Sequence, residues 1–181
     1  IVNSKRGTYY IADTLVNQHP DKETLKDIAR LTANTIRFFN EEPKIAGISF
    51  SSFGVDKTGS PRLMHDVVAE LQAEDPNLKI DGEMTVDLAL DHKRRDEKYP
   101  FLRLHGENVN SMIFTSLSAA NSAYRLIKQF SPETEVIGPI QMGLNKPIHF
   151  TDFDSSVRDI VNITAVAVID AYVNKIKNTR K

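Results

Sequence analysis

Cysteine and tryptophan are both missing from this sequence. Without cysteine there is no disulfide framework and no thiolate nucleophile, and a zinc ion would have histidine and carboxylate ligands alone. An excess of one charge is missing too. Against 24 Asp and Glu stand 23 Lys and Arg, a formal −1, so bulk charge does not draw the chain to nucleic acid. There is no long hydrophobic run. The longest, Ile163 to Ile169, is broken by Thr164 and falls far short of the ~20 residues that span a bilayer. The chain opens on Ile1 rather than methionine, and its first residues lack the apolar stretch of a signal peptide. It reads as a piece of a longer protein, cytoplasmic, with neither a nucleic acid nor a membrane as partner. Neither GxGxxG nor GxxxxGK[ST] occurs, which removes both common nucleotide fingerprints. HExxH and GxSxG are also lacking, which argues against a zinc hydrolase and an α/β-hydrolase elbow.

What is present is globular material. The chain has 181 residues, 40% of them hydrophobic and 26% charged, the size and balance of one domain with its own core. Strand-like and helix-like segments alternate along it. Thr8 to Ala12 is a short β-rich run. Pro20 opens a helix with Asp21 and Glu23 in its first turn, and Leu25, Ile28, Ala29, Thr32, Ile36 and Phe39 form one apolar stripe. Ile45 to Phe50 reads as a buried strand. Ser60 and Pro61 fit the N-cap and first position of a helix carrying Leu63, Met64, Val67, Val68 and Leu71. A short strand at Leu78 to Asp81 precedes a brief helix at Val86 to Leu90 and a charged, exposed stretch at His92 to Lys98. Ser111 to Thr115 is strand-like, and Ser118 caps a helix with Ala120, Ala123, Tyr124, Ile127 and Phe130 inward. Val136 to Ile140 and Ile148 to Phe150 read as strands on either side of the turn at Gly143 to Pro147. Ser155 or Ser156 then caps a last helix to about Lys177, apolar nearly all round in its middle. The pattern predicts an α/β fold: a mostly parallel sheet with helices on both faces, plus a long C-terminal helix.

Such sheets bind ligands at the C-terminal ends of their strands. The loops of interest follow Ala12, Phe50, Asp81, Thr115, Ile140 and Phe150. Ser49, Ser51, Ser52 and Gly54 offer hydroxyls and amides to a phosphate or carboxylate, although Ser and Gly are also ordinary loop residues. Asp81, Glu83 and Asp87 lie within seven residues of one another. They suit a hard cation or acid–base work, and equally the start of a helix. Of the five histidines none forms a ligand pair; His149 reads as structural and His19 as part of a turn. Phe53 and Phe101, in loops, either cover a base or acyl chain or anchor their loops. The basic tail from Lys175 to Lys181 suits a solvated helix end.

Several segments stand in a telling order. They are Tyr10-Ile11-Ala12-Asp13-Thr14, Ile48-Ser49-Phe50-Ser51-Ser52-Phe53-Gly54 and the stretch from Asp81-Gly82-Glu83-Met84 to Leu90. Then come Asn110-Ser111-Met112-Ile113-Phe114 with Ala119 to Tyr124, Ile137-Gly138-Pro139-Ile140 with Gly143 to His149, and Ser156-Val157-Arg158-Asp159-Ile160-Val161-Asn162. Together they resemble the phosphate acetyl/butyryltransferase family from about Tyr9 to Ala171. The variant most alike is the transferase-like C-terminal region of bacterial multi-domain malic enzymes.

The resemblance implies two α/β lobes with acyl-CoA between them, this chain being the second lobe and its first lobe preceding Ile1. It implies a ligand-binding set of Ser51, Ser52, Gly54, Asn145, Lys146 and Asp159, with Lys146 as the cation near the CoA phosphates. Active members carry Asp-Leu-Ser-Arg-Gly after Lys-Pro, the Ser and Arg handling the acyl phosphate. Counted from Lys146-Pro147, those two positions fall on Asp152 and Phe153; only a downstream Asp survives, as Asp159. No catalytic residue and no metal or cofactor is therefore expected in this region. The expected role is regulatory: an acetyl-CoA effector site and a homodimer contact, with NAD(P) and a divalent metal serving malic-enzyme domains upstream. The alternative is a phosphate acetyltransferase.

Overall fold

The computed structural model describes residues 1–131, 133–153 and 155–179, of which 174–179 are described as backbone only. The chain runs through β1 (Val2–Ser4), β2 (Gly7–Ala12), α1 (Lys22–Phe38), β3 (Lys44–Ile48), α2 (Gly59–Glu74), β4 (Lys79–Met84), α3 (Val86–Leu90), α4 (His92–Lys98), β5 (Ser111–Phe114), α5 (Leu117–Phe130), β6 (Glu135–Val136) and α6 (Val157–Thr179). The strands form one sheet in the order β4-β3-β5-β2-β1-β6. β4, β3, β5 and β2 are parallel neighbours, and β1 is antiparallel to both β2 and β6.

The two faces of the sheet follow from the period-two alternation of a strand. Ile45 and Ile113 point to a cluster with Leu25, Ala29, Met64 and Leu71 of α1 and α2. Their neighbours Ala46 and Met112 point the other way, to Leu88 and Ala89 of α3 and to Leu104 and Val109. Helices on both faces of a mostly parallel sheet are what the alternating pattern predicts. β3 and β4 also come very close to each other. Gly47 faces Gly82 in register. A methyl group on Gly82 would lie 2.6 Å from the Gly47 carbonyl oxygen, and one on Gly47 would lie 2.7 Å from Met64 Sδ. At both positions only glycine fits the space.

Several boundaries differ from the sequence reading. Pro20 and Asp21 precede α1; Asp21 is its N-cap, accepting from Thr24 N–H at 2.9 Å. α2 begins at Gly59 behind Thr58, so Ser60 and Pro61 lie inside the first turn, where a missing proline N–H costs nothing. α5 is capped by Ser116, which accepts from Ala119 N–H, and not by Ser118. Of its expected inner face Ala120 is buried, while Phe130 at the end of the helix is 81% exposed. Of Val136 to Ile140 only Val136 is in a strand, the two-residue β6, and among the described residues Ile148 to Phe150 has no strand partner. β1 went unread because its three residues gain their identity only from pairing with Val136 and Tyr9. His92 to Lys98 forms α4, and Arg95 within it is fully buried.

α6 starts on the expected serine. Ser156 Oγ accepts from Asp159 N–H at 3.1 Å, and the Asp159 carboxylate accepts from Ser156 N–H at 3.0 Å, a reciprocal capping box. Ile163 and Val166 are buried, whereas Ile160, Val161, Val168, Ile169 and Tyr172 are exposed. The basic tail ends in Arg180 and Lys181, which lie outside the described residues. Among the described residues no helix is long and apolar enough to cross a membrane.

At one end of the sheet Glu107 accepts from Lys44 at 2.8 Å and from Lys79 at 2.5 Å. These hydrogen bonds hold its carboxyl at about 2, against an ordinary 4.5. A depressed folded-state pKa contributes stability above the unfolded value and loses it as pH falls toward the folded one. Acid titration should therefore remove part of the stability between about pH 5 and pH 2. The Glu107→Gln variant, followed by urea unfolding at each pH, should show a flatter profile in that window. An unchanged slope would remove Glu107 from the acid response.

Candidate functional site

The segment after β3 is held against the end of β4 by backbone and side chain together. Ser49 N–H donates to the Met84 carbonyl at 2.9 Å, and Phe53 N–H to the Glu83 carbonyl at 2.9 Å. The Glu83 carboxylate is completely buried. It accepts from Gly54 N–H at 2.6 Å and lies 3.2 Å from His65 Nδ1. Phe53 and Gly54 both take left-handed backbone, with φ of 49° and 81°. Such a conformation is costly for phenylalanine, and the Glu83 contacts together with ring packing hold it. The Phe53 ring sits 4.4 Å from Tyr99 and 5.7 Å from Phe101, centroid to centroid. Phe53 therefore anchors its loop.

The serines of this loop face an open cleft of about 850 Å³. Ser51 Oγ accepts from Asp56 N–H at 2.9 Å, and Ser52 Oγ from Thr85 N–H at 3.3 Å. Among the described residues neither hydroxyl donates its own proton to a protein group. Lys57 and the exposed ring of Phe50 complete this wall, and Arg94, Lys98 and Tyr99 form the opposite one. Arg94 Nη1 reaches Asp87 at 3.1 Å, and the Lys98 ammonium lies 5.5 Å from the centre of the Tyr99 ring. The Thr58 hydroxyl and N–H hold the Asp56 carboxyl below its ordinary range. The cleft thus combines three cations, two hydroxyl donors and aromatic surface.

The acidic trio of the sequence separates. Asp81 is buried and accepts from Leu104 N–H at 2.7 Å and Gln72 Nε2 at 3.0 Å; burial pushes its carboxyl up. Glu83 holds the loop, and Asp87 is exposed beside Arg94. Among the described residues no three His, Asp or Glu side chains converge as metal ligands.

The six candidate binding residues fall into two groups. Ser51 and Ser52 line the cleft, and Gly54 secures the same loop. Asn145 and Lys146 stand exposed in the turn after Gly143, and Asp159 is occupied in the α6 capping box; none of these three lines the cleft. The Ser156 hydroxyl and N–H keep the Asp159 carboxyl below its ordinary range. Asp152 is exposed, and Phe153 is completely so. The loops after Ala12 and Ile140 meet instead at a second cavity of about 630 Å³, lined by Tyr10, Leu31, Tyr124 and Phe150 among others. His149 Nδ1 accepts at 3.2 Å from the N–H of Gln141, one of the residues lining that cavity. The sequence reading overlooked Lys57, Arg94 and Lys98. A basic doublet, Arg94-Arg95, close behind a strand end was the available signal, and it read as a solvated face.

Residues 1–168 match the family described as phosphate acetyl/butaryl transferase. A NADP-dependent malic enzyme of Salmonella typhimurium is 39% identical over 165 residues, covering 91% of this chain and 22% of the relative. A phosphate acetyltransferase of Clostridium acetobutylicum is 36% identical, covering 92% of this chain and 50% of the relative. Among solved structures, a phosphotransacetylase from Streptococcus pyogenes superposes with a TM-score of 0.85 at 29% identity, covering 95% of this chain and 52% of the other. The chain thus spans half or less of the length of these curated relatives.

Proposed function

The chain belongs to the phosphate acetyl/butyryltransferase family, and from that premise we propose that it is an acyl-CoA-sensing, subunit-pairing lobe of a cytoplasmic NAD(P)-dependent malic enzyme. In this reading domains outside this chain convert malate to pyruvate and CO2 with NAD(P) and a divalent metal. Acetyl-CoA bound at this lobe adjusts their rate. The observation that carries the reading is the pair Asp152 and Phe153, standing where active transferases have Ser and Arg. An arginine offers a planar, permanently charged fork to a phosphoryl group. A phenyl ring offers no hydrogen bond, and a carboxylate repels the anion. The cationic cleft beside Ser51 and Ser52 supports retained binding of a CoA ester without transfer.

The exposed α6 stripe of Ile160, Val161, Val168, Ile169 and Tyr172 supports pairing with a second copy. A phosphate acetyltransferase remains the second reading, favoured by the retained Asp159 and by the Clostridium relative.

Calorimetry on the intact protein tests the first reading. Acetyl-CoA should bind at about 10 µM or tighter, near −7 kcal/mol, and should shift the protein's affinity for malate about 5- to 150-fold, the usual range of coupling between sites. The protein should sediment as a dimer. An intact protein that binds no CoA ester would overturn the sensing role, and a monomer at micromolar concentration would overturn the pairing role.

A further inference from the structure

Glu83, at the end of β4, is the most deeply buried carboxylate among the described residues. Two groups meet it: Gly54 N–H donates to Oε1 at 2.6 Å, and His65 Nδ1 stands 3.2 Å from Oε2. A buried negative charge served by neutral donors alone is costly, and a cationic partner offsets that cost. Among the described residues only His65 brings a chargeable nitrogen within hydrogen-bonding distance. On α2 itself Arg62 is paired with Asp66. On α1, Lys22, Lys26 and Arg30 are held by Glu70 and Glu74. Lys44 of β3 and Lys79 of β4 are held by Glu107, and Asp81 of β4 accepts from Leu104 and Gln72. In the loop after β3, Asp56 accepts from Thr58 and Lys57 is exposed. Across the cleft Asp87 and Arg94 pair with each other, and Lys98 lies against the Tyr99 ring. The His65 side chain is 47% exposed, so it exchanges protons with water that Glu83 does not meet.

We propose that His65 and Glu83 form a proton-operated latch on the loop after β3, closed when the imidazole is charged and loosened when it is neutral. A histidine side chain changes charge between about pH 5 and 8. With the ring protonated, an imidazolium–carboxylate pair holds Glu83, and Glu83 holds Gly54. As pH rises the ring loses its charge and the buried carboxylate keeps only neutral donors. The left-handed backbone at Phe53, with φ of 49°, is then held less firmly. The sign follows from linkage: a histidine that gains a carboxylate partner on folding contributes its stabilisation at low pH and loses it as pH rises through its folded-state value. Strong acid loosens the latch as well, once Glu83 itself takes a proton. The wall that carries Ser51 and Ser52 is therefore most ordered in mildly acidic solution, whatever ligand the cleft takes.

Hydrogen exchange on the intact protein tests the latch, read by mass spectrometry at about pH 5.5, 6.5 and 8, across the histidine range, and corrected for the intrinsic exchange rate. The segment 49–57 should open about threefold more often at the highest pH than at the lowest, while β5 should show no such trend. His65→Gln keeps a hydrogen-bonding side chain that cannot take a charge. Its 49–57 segment should open at every pH as the parent's does at the highest. The altered side chain is half-exposed, so an unchanged melting temperature at the highest pH serves as the folding control. Glu83→Gln should abolish the pH trend too; should that variant fail to fold, His65→Gln decides alone. A parent loop whose opening does not change with pH overturns the latch. So does a trend that persists in His65→Gln, which would leave His65 a structural contact only.

Discussion

Replacing Arg95 by methionine is expected to cost about 4 kcal/mol of folding stability, within the range for removing one partner of a buried charged group. The side chain has no exposure. Its Nη2 donates to the Leu104 carbonyl at 2.7 Å and the Glu107 carbonyl at 2.6 Å, Nη1 to the Ala89 carbonyl at 3.4 Å, and Nε to Asp96 at 3.2 Å. One guanidinium therefore ties α3, α4 and the segment before β5 together. Methionine has similar length and helix propensity and donates nothing, so the Leu104 and Glu107 carbonyls lose their Arg95 donor. Hydrogen bonds to charged groups contribute roughly 1.5–3 kcal/mol each, and unsatisfied buried acceptors add their own penalty. At this chain size about 4 kcal/mol is a fall of roughly 10 °C in melting temperature. Thermal unfolding followed by circular dichroism gives the answer. Arg94→Met, one residue away and exposed, should shift stability by less than about 0.5 kcal/mol. Equal small losses for both variants would show that the Arg95 contacts are incidental.

The second large effect concerns chemistry. Joined to a first lobe, the chain should form acetyl phosphate at least a thousandfold more slowly than the ~10 s⁻¹ of an ordinary enzyme. Removing a preorganised cation from a transition state costs several kcal/mol of barrier. If the family positions carry over as proposed, the Phe153 ring stands in place of that cation, and Asp152 would bring a like charge to the phosphoryl group. A coupled assay of acetyl-CoA plus phosphate measures this directly. Turnover near 10 s⁻¹ would return the protein to the transferases. If the paired change Asp152→Ser, Phe153→Arg raised the rate at least tenfold, the two positions would account for the loss.

The elements that proved legible are those whose signal is local. The α1 stripe, the apolar runs of β3 and β5, and the Ser156–Asp159 capping box each need only neighbours within a turn or a strand. The order of elements then implied a parallel sheet. What escaped depends on distant partners. Ile148 to Phe150 is apolar enough for a strand, but a strand exists only beside another, and among the described residues none pairs with it. Arg95 sits in a run of charges and reads as solvated; the carbonyls that receive it come from Leu104 and Glu107, and no periodicity announces them. The site divided along the same line. Ser51 and Ser52 were visible as a hydroxyl-rich strand end. Arg94 and Lys98 joined them only because α3 and α4 fold back beside that loop.

The strand order also sets a timetable for synthesis. β2 lies between β1 and β5, pairing Tyr10 with Ser111, while β1 waits for Val136. The β3–α2–β4 unit, by contrast, is contiguous and can form as soon as it leaves the ribosome. At the usual 5–20 residues per second, the first hairpin spends roughly 5–20 s with its β2 edge uncovered before β5 arrives. An apolar strand with a bare edge is a template for pairing with other chains. Such long-range pairing is slow as well. Yield in the cell should therefore be governed less by the finished molecule's stability than by how well that early edge is shielded until Ser111 to Phe114 closes over it.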